Sequence, residues 1–299
     1  MAKDRRTARR RRRDRGALAG QALLGQALFV QALFGLALLG LTALGGGAFA
    51  AQPQADRTPI DQQCAVPDVS LSVGAPMAAA VQALRDGGDL EIVALGSSST
   101  EGTGATSPEL SYPARLAEEL RLRFPGARIT IINRGVGGQL ARHMVDRLAR
   151  DAIDVKPQLV IWQTGTNDAL ALVDIADFKA TLAEGVARLK RAGIDVMLMD
   201  LQYYPNAVKV AAYEHYVEAM SGVAREAEVG LFARYAMMQH WAAADRDLWA
   251  GDRFHLGNLG YHCVAAVLAE ALERQVDESR LAAAPAVGTA IPAALAVAR

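Results

Sequence analysis

The chain has 299 residues, of which 52% are hydrophobic, and this is enough for one α/β domain of ordinary size. Its formal net charge of zero hides two unlike parts, because residues 1–50 carry a net charge of +7 and the remainder carries −7. An acidic body lacks the basic surface that nucleic-acid binding requires, so we expect no nucleic-acid partner.

The first 50 residues have the layout of an export signal. An arginine-rich stretch at residues 5–13 precedes a long apolar segment, and Ala-Phe-Ala at residues 48–50 has the spacing of a cleavage site. The most apolar part, residues 32–44, has the length of a signal-peptide core and is short for a membrane span. A cleaved signal peptide and an uncleaved N-terminal membrane anchor both fit. Either one predicts that the body is exported, and is periplasmic or secreted.

After a linker over residues 51–65, strands and helices are predicted to alternate. The five predicted strands are short apolar runs at residues 90–95, 129–132, 159–162, 196–201 and 229–232. Apolar residues at helical spacing predict helices at residues 76–85, 114–124, 140–153, 177–192, 208–227, 237–244 and 259–272. Such alternation is typical of a parallel sheet covered on both faces. The sequence predicts a three-layer α/β/α sandwich with a mainly parallel five-stranded sheet over residues 66–276, and a disordered tail over residues 277–299.

Cys64 and Cys263 are the two cysteines of the chain. In an exported domain a single possible pair favours a disulfide, which would join the start of the domain to its last helix. Two separate buried thiols are the alternative. The sequence has no Cys-x-x-Cys pair and no cluster of cysteine and histidine, so we expect no structural metal.

The first predicted strand leads into a glycine turn that carries three consecutive serines, Ser97, Ser98 and Ser99. Such a turn can place one hydroxyl at the C-terminal edge of a parallel sheet, where open α/β folds bind their ligands. A serine hydroxyl is a weak nucleophile unless a base removes its proton. The turn is therefore a candidate nucleophile site that still needs a base.

His255 is the best candidate base, because Asp252, three residues before it, can orient the imidazole and stabilise its protonated form. Pairs of this spacing also occur by chance, in which case Asp252 only caps a turn and His255 lies on the surface. The remaining histidines lack an acid at this spacing, and we interpret them as core or surface residues: His143, His215, His240 and His262.

Two further turns after predicted strands offer hydrogen-bond donors. Gly137 and Gly138 could expose backbone N–H groups, although glycine is common in any strand-to-helix turn. Asn167 follows the third strand, where its amide could donate to an oxyanion or could bond its own backbone. For Asp168 we expect a cap on the following helix and no part in the chemistry.

In this order, the blocks resemble those of the SGNH (GDSL-like) hydrolases over about two-thirds of the chain. The segment from Gly96 to Gly102 is similar to the Gly-Asp-Ser-x-Thr block of that family, and the alignment makes Ser98 the nucleophile. Ser97 stands where the family usually has aspartate, so the hydrogen bonds that position this turn must differ. There is no Gly-x-Ser-x-Gly, so an α/β-hydrolase elbow is not supported.

The later blocks, residues 133–138, 165–168 and 252–255, resemble the other three. By this resemblance Ser98, Asp252 and His255 form a catalytic triad, and an oxyanion hole is made by the Ser98 and Gly138 backbone N–H groups and the Asn167 amide. The implied fold is the flavodoxin-like fold of the SGNH hydrolases.

The resemblance implies hydrolysis of carboxylic esters through an acyl-enzyme, without a metal or an organic cofactor. An exported location favours short acyl, above all acetyl, esters of extracellular or cell-wall carbohydrate, while other small-molecule or lipid esters stay open. An acyltransferase, a lysophospholipase or a thioesterase could use the same residues, and a non-catalytic envelope binding protein could keep the fold. Some aromatic side chains could border the cleft or belong to the edge of the core: Tyr203, Tyr204, Trp249 and Phe254. The sequence leaves the oligomeric state open.

Overall fold

The computed structural model describes residues 62–206 and 209–283. The export signal or anchor predicted over residues 1–50 lies outside the described residues, as do residues 51–61 of the linker and residues 284–299 of the tail. Among the helices of the described ranges, none combines the length and the apolar composition that a membrane span needs.

Within the described residues, one sheet of five parallel strands forms the centre of the fold, in the order β2-β1-β3-β4-β5. The strands are β1 (Asp89–Gly96), β2 (Arg128–Gly135), β3 (Leu159–Gln163), β4 (Asp195–Met199) and β5 (Gly230–Phe232). The predicted parallel α/β fold is confirmed. β2 extends past its predicted end at residue 132, because its last three residues pair in parallel with the end of β1.

Helices cover both faces of this sheet. They are α1 (Ala78–Asp86), α2 (Ser98–Glu101), α3 (Tyr112–Arg123), α4 (Ala141–Asp146), α5 (Thr166–Leu170), α6 (Ile175–Arg191), α7 (Tyr213–Ala227), α8 (Arg234–Ala243) and α9 (Asn258–Ala283). Short 3-10 turns lie at Gln62–Cys64, Asp68–Leu71 and Pro108–Leu110. The single helix predicted over residues 140–153 is wrong, since α4 ends at Asp146 and one π-helical turn follows at Ala149–Ile153.

Successive side chains of each strand point to opposite faces and enter two separate cores. In β1, Ile92 and Ala94 join the core beneath α1, α3 and α9, whereas Val93 and Leu95 join the core beneath α4, α6 and α7. Both faces of the strand are therefore buried. This burial explains why β1, β3 and β4 have nearly continuous apolar sequences, whereas the edge strand β2 is only partly buried.

The two ends of the folded body differ from the prediction. Cys64 is fully buried and forms a disulfide with Cys263, so the body begins before residue 66, where we expected the linker to end. At the other end α9 continues to Ala283, which corrects the predicted disorder for residues 277–283. This last part of α9 lies against α1, where Ser279 accepts a hydrogen bond from Arg85.

The strand order determines where a ligand can bind. The chain passes from β1 to β2 on one side and then adds β3 on the other side of β1, which makes the gap between β1 and β3 the topological switch point of the sheet. These two strands end side by side, with Leu95 paired with Trp162. Ser98 follows β1 and Asn167 follows β3, so the fold brings both to the crevice where open α/β sheets bind ligands.

Candidate active site

Ser98, His255 and Asp252 form one hydrogen-bonded chain of side chains. Ser98 begins α2 directly after β1, and His255 lies in the loop before α9. Although 157 residues separate them, Ser98 Oγ lies 2.9 Å from His255 Nε2. On the other side of the ring, His255 Nδ1 lies 2.6 Å from Asp252 Oδ2. The His255 side chain is 15% exposed and that of Asp252 is 47% exposed, so the chain of contacts lies at the surface of the crevice.

Asp252 both orients the histidine and closes the turn that carries it. Its Oδ1 accepts the backbone N–H groups of Phe254 and His255, at 3.0 and 2.9 Å, while its Oδ2 faces the imidazole. Arg253, inside this turn, has a positive φ of 56°. The sequence left open whether Asp252 caps a turn or contacts the imidazole. The carboxylate does both, with one oxygen for each contact.

The charge state of Asp252 follows from these contacts. Partial burial by itself would raise the pKa of Asp252, but the hydrogen bonds from the His255 ring and from the two backbone N–H groups lower it by more. The net pKa of Asp252 lies below the usual range of an aspartate. The carboxylate is therefore ionised at neutral pH.

The three consecutive serines have different partners. Ser97 is buried, and its hydroxyl donates to Gln163. Ser99 is buried as well, and its hydroxyl donates to Gln202 Oε1 at 2.7 Å. Of the three serines, Ser98 is the one whose hydroxyl meets a histidine.

Gln163, the last residue of β3, is the hydrogen-bond acceptor for the turn that begins at Ser97. In the SGNH family the position of Ser97 is usually an aspartate. Its buried Oε1 accepts the Ser97 N–H at 3.0 Å, the Ser97 hydroxyl at 3.1 Å and the Thr100 hydroxyl at 3.1 Å. Gly96 has no space for a side chain, since a Cβ there would lie 2.0 Å from Thr100 Oγ1. The sequence indicated that the hydrogen bonds of this turn differ from those of the SGNH family. It did not identify Gln163, because a glutamine at the end of an apolar strand carries no sign of this role.

The glycine block after β2, Gly137 and Gly138, lies beside Ser98. A Cβ built on Gly137 would be 3.9 Å from the Cβ of Ser98, so the two backbones are close neighbours. Gly138 has φ +74°, a conformation that favours glycine. In the part of the chain that the structure describes, the backbone N–H groups of Ser98 and Gly138 donate to no other backbone group. Both remain available to a ligand.

Asn167 is connected to the same block. Its Nδ2 donates one hydrogen bond to the backbone carbonyl of Gln139 at 2.9 Å. An amide nitrogen carries two hydrogens, so a second donor remains at this position. The contact brings the turn after β3 next to the glycine block after β2, as the predicted oxyanion hole requires.

Asp168 caps a helix, but not the one we expected. Its two carboxylate oxygens accept the N–H of Ala141, the first residue of α4, at 3.0 and 3.2 Å. The next long helix, α6, is capped by Asp174 instead. Burial raises the pKa of Asp168, against the opposing effect of its backbone hydrogen bonds. Its contacts are those of a structural residue.

Arg147 is a second residue that sequence reasoning missed. It is almost fully buried, and its guanidinium donates to the carbonyls of Gly96 and Arg134, at the ends of β1 and β2. Its Nε donates to Gln139 Oε1 at 2.7 Å, and Asp151 balances its charge at 2.7 Å. Arg147 therefore ties the ends of β1 and β2 to Gln139, the residue that follows the two glycines. In the sequence it had the pattern of an exposed helical arginine.

The aromatic residues near His255 belong mainly to the edge of the core. Tyr204 is 6% exposed, and its ring centroid lies 4.8 Å from that of Phe254. Phe254 packs edge-on against the His255 ring at the same centroid distance, 4.8 Å. Tyr203 and Trp249 are partly buried and pack against both cores. Phe254 thus fixes one flank of the imidazole, and Tyr204 supports Phe254.

No group of three or more His, Cys, Asp or Glu side chains suited to a metal ion occurs within residues 62–206 and 209–283. The chemistry that the arrangement offers is that of a nucleophile, a base with an orienting carboxylate, and a set of N–H donors beside them.

Comparison with known proteins agrees with this fold. Residues 63–278 match the non-GDSL lipase-like family. A two-domain esterase active on acetylated mannans, crystallised with mannopentaose, has 24% identity and a TM-score of 0.59 over 70% of this chain and 56% of its own. This chain thus spans little more than half the length of that esterase.

Two other solved structures are similar at comparable levels. The lipase/acylhydrolase from Enterococcus faecalis has 22% identity and a TM-score of 0.54, over 62% of this chain and 96% of its own. A variant of Axe2, an acetyl xylan esterase from Geobacillus stearothermophilus, has 21% identity and a TM-score of 0.52, over 62% of this chain and 94% of its own. No curated protein matches the chain. At these levels of sequence identity, the similarity to the solved structures shows the fold alone.

Proposed function

Since this chain belongs to the non-GDSL lipase-like family and has the fold of the SGNH-type hydrolases, we propose that it is a serine-dependent carboxylic ester hydrolase. One observation carries the proposal, the unbroken hydrogen-bonded chain from Ser98 through His255 to Asp252. A binding protein would have no use for a nucleophile, a base and an orienting carboxylate in this geometry.

In the proposed reaction Ser98 Oγ attacks the acyl carbonyl while His255 Nε2 takes its proton. The ionised Asp252 accepts a hydrogen bond from Nδ1–H, which leaves Nε2 free to act as base, and it stabilises the imidazolium that forms. His255 then protonates the leaving alcohol. Water then attacks the acyl carbon while His255 takes one of its protons. His255 returns that proton to Ser98 Oγ as the bond to the acyl carbon breaks and the carboxylic acid leaves.

The negative charge on the carbonyl oxygen needs donors that are already in place. The proposed donors are the backbone N–H groups of Ser98 and Gly138 and the remaining Nδ2 hydrogen of Asn167. Arg147 joins Gln139, the residue after the two glycines, to Gly96 at the end of β1, and the Asn167–Gln139 hydrogen bond joins Gln139 to the turn after β3. The donors therefore need little rearrangement when charge develops.

For the substrate we propose short-acyl, above all acetyl, esters of extracellular or cell-wall carbohydrate. The half-exposed Asp252 and the surface position of the triad suit an ester carried on a large alcohol that stays outside the protein. Two of the similar solved structures are enzymes described as active on acetylated mannans and on acetyl xylan. The export signal predicted over residues 1–50 would place the enzyme where such polymers occur.

The test is hydrolysis of p-nitrophenyl acetate, butyrate and octanoate by the purified protein beside Ser98→Ala. Ser97→Ala and Ser99→Ala are the matched controls, because they remove neighbouring hydroxyls that do not face His255. We expect Ser98→Ala to lose at least about a thousandfold in kcat and both controls to keep measurable activity. Activity that survives in Ser98→Ala would contradict the proposal. Rates that rise with chain length would replace the deacetylase proposal by a lipase-like one.

A further inference from the structure

Gln202 connects the two loops that carry the reacting side chains. It lies three residues past the end of β4 and is 1% exposed. Its Oε1 accepts a hydrogen bond from the Ser99 hydroxyl at 2.7 Å, and its Nε2 donates one to the backbone carbonyl of Phe254 at 3.2 Å. Ser99 follows Ser98 in the chain, and Phe254 precedes His255. The side chain thus bridges the residues next to the nucleophile and next to the base.

The orientation of this amide is determined by its partners. A backbone carbonyl can only accept, so the Nε2 end of Gln202 must face Phe254. The Oε1 end must then face Ser99, whose hydroxyl supplies the donor. An amide of fixed length therefore spans the distance between the two loops in one orientation.

The backbone of Gln202 is held as well. Its N–H donates to Thr166 Oγ1 at 3.2 Å, and its carbonyl accepts the Tyr213 hydroxyl at 2.7 Å. Thr166 precedes Asn167, the proposed oxyanion donor. A single buried residue is thus bonded to the neighbours of the proposed nucleophile, base and oxyanion amide.

We propose that Gln202 is a positioning residue that sets the separation between Ser98 Oγ and His255 Nε2. Its link between the two loops does not involve the reacting atoms, so it persists while the Ser98–His255 hydrogen bond breaks and re-forms during turnover. The catalytic part of this inference rests on the proposed ester hydrolysis, whereas the geometric part does not.

Gln202→Met tests the proposal, because methionine keeps the length of the side chain and removes both polar ends. We expect kcat for p-nitrophenyl acetate to fall about 10-fold to 100-fold with KM changed less than about threefold, since a misplaced base slows the chemical step. Ser99→Ala removes one arm of the bridge and should cost about threefold to tenfold in kcat. The double variant should be no slower than Gln202→Met, because both changes break one connection.

Gln158→Met is the matched control. Gln158 also uses its Oε1 to hold a strand, by accepting the Glu91 N–H at 2.7 Å, but it lies at the opposite end of the sheet. We expect this variant to lose stability and to keep the wild-type kcat. If Gln158→Met lost as much kcat as Gln202→Met, the loss of any glutamine hydrogen bond would be enough to slow the enzyme. That result would overturn the positioning role of Gln202.

A crystallographic measurement separates the two proposals. In Gln202→Met we expect the distance between Ser98 Oγ and His255 Nε2 to exceed 3.5 Å, against 2.9 Å in the wild type. If the wild type hydrolyses no ester, the proposed function fails while this comparison still decides the role of Gln202. If Gln202→Met does not fold, Ser99→Ala supplies both the kcat and the distance between Ser98 Oγ and His255 Nε2. A wild-type distance together with a wild-type kcat in these variants would overturn the inference.

Discussion

Ser97 directs both its backbone N–H and its hydroxyl to Gln163 Oε1, at 3.0 and 3.1 Å. Two donors of one residue thus converge on a single buried oxygen at the end of the neighbouring strand. By the resemblance to SGNH hydrolases, Ser97 occupies a position that is usually an aspartate. In this protein the acceptor that holds the turn is Gln163 of β3. The turn that carries Ser98, the proposed nucleophile, is therefore tied to the central strand of the sheet by a neutral hydrogen-bond acceptor.

We expect Gln163→Leu to lower the free energy of unfolding by about 2–4 kcal/mol, because both buried donors of Ser97 lose their acceptor and the Thr100 hydroxyl keeps only its contact with Tyr112. The turn that carries Ser98 should then shift, and kcat should fall about tenfold. Urea unfolding and ester hydrolysis measure the two effects. Wild-type values for both would show that Gln163 does not hold the turn.

Asn167→Ala should lower kcat by about 100-fold to 1,000-fold, since an oxyanion donor acts mainly on the transition state. Its effect on stability should be small, because the side chain makes one hydrogen bond, to the carbonyl of Gln139. Steady-state kinetics and the urea midpoint are the measurements. A variant that keeps the full rate would remove Asn167 from the oxyanion hole.

Asp252→Asn separates the two tasks of this carboxylate. Asparagine can still accept the N–H groups of Phe254 and His255 through Oδ1, so the turn and the stability should be kept. It loses the charge that faces the imidazole, and we expect kcat to fall about 100-fold to 1,000-fold. If Asp252 only closed the turn, the variant would retain wild-type kinetics.

The same carboxylate has a consequence for pH dependence. The pKa of Asp252 is lower than usual because the hydrogen bonds from His255 and the backbone outweigh partial burial. Asp252 therefore stays ionised at every pH above its ordinary value of about 4. A fall of kcat/KM between pH 8 and pH 5 cannot then come from protonation of Asp252.

Asp200 should make stability fall as the pH rises. Burial raises its pKa to about 7, although Arg234 and the Tyr235 N–H oppose the shift. Between pH of about 4 and 7 the native state holds a proton that the unfolded state has lost, so the free energy of unfolding decreases with pH, by up to about 1.4 kcal/mol per unit. Above pH 7 both states are ionised and this dependence ends.

Urea unfolding of the wild type and of Asp200→Asn between pH 4.5 and 8 measures this effect. Asparagine can keep the hydrogen bond from the Tyr235 N–H without titrating. The difference between the two proteins isolates Asp200, because all other groups are shared. Parallel curves would contradict the raised pKa.

The disulfide should contribute a large share of the stability. It joins Cys64 and Cys263 across a sequence separation of 199, and closing a loop of this size restricts the unfolded chain by about 5 kcal/mol. We expect Cys64→Ser/Cys263→Ser to lose about that amount in urea unfolding and to keep its kcat while folded, because neither cysteine contacts the triad. A loss below about 1 kcal/mol would show that packing alone holds α9.

The sequence by itself predicted what depends on local pattern. Short apolar or β-branched runs located the five strands, because strands of a covered parallel sheet are mostly apolar and β-branched residues favour strands. The Asp252–His255 contact was predictable since it spans three residues of one turn. The order of the sequence blocks, each at or just after the end of a strand, led to the prediction that Ser98, Gly138 and Asn167 are site residues.

Tertiary structure decided the contacts that cross the sheet. Gln163, Gln202 and Arg147 each bond to residues far away in the chain, and their own sequence surroundings resemble an ordinary strand end, a loop and a helix. The helix that Asp168 caps could not be identified for the same reason. Such partners depend on strand order and register, and a buried polar side chain bonds to whatever groups the packed elements bring within about 3 Å. Sequence periodicity records which face of an element is buried, but not which atoms lie opposite it.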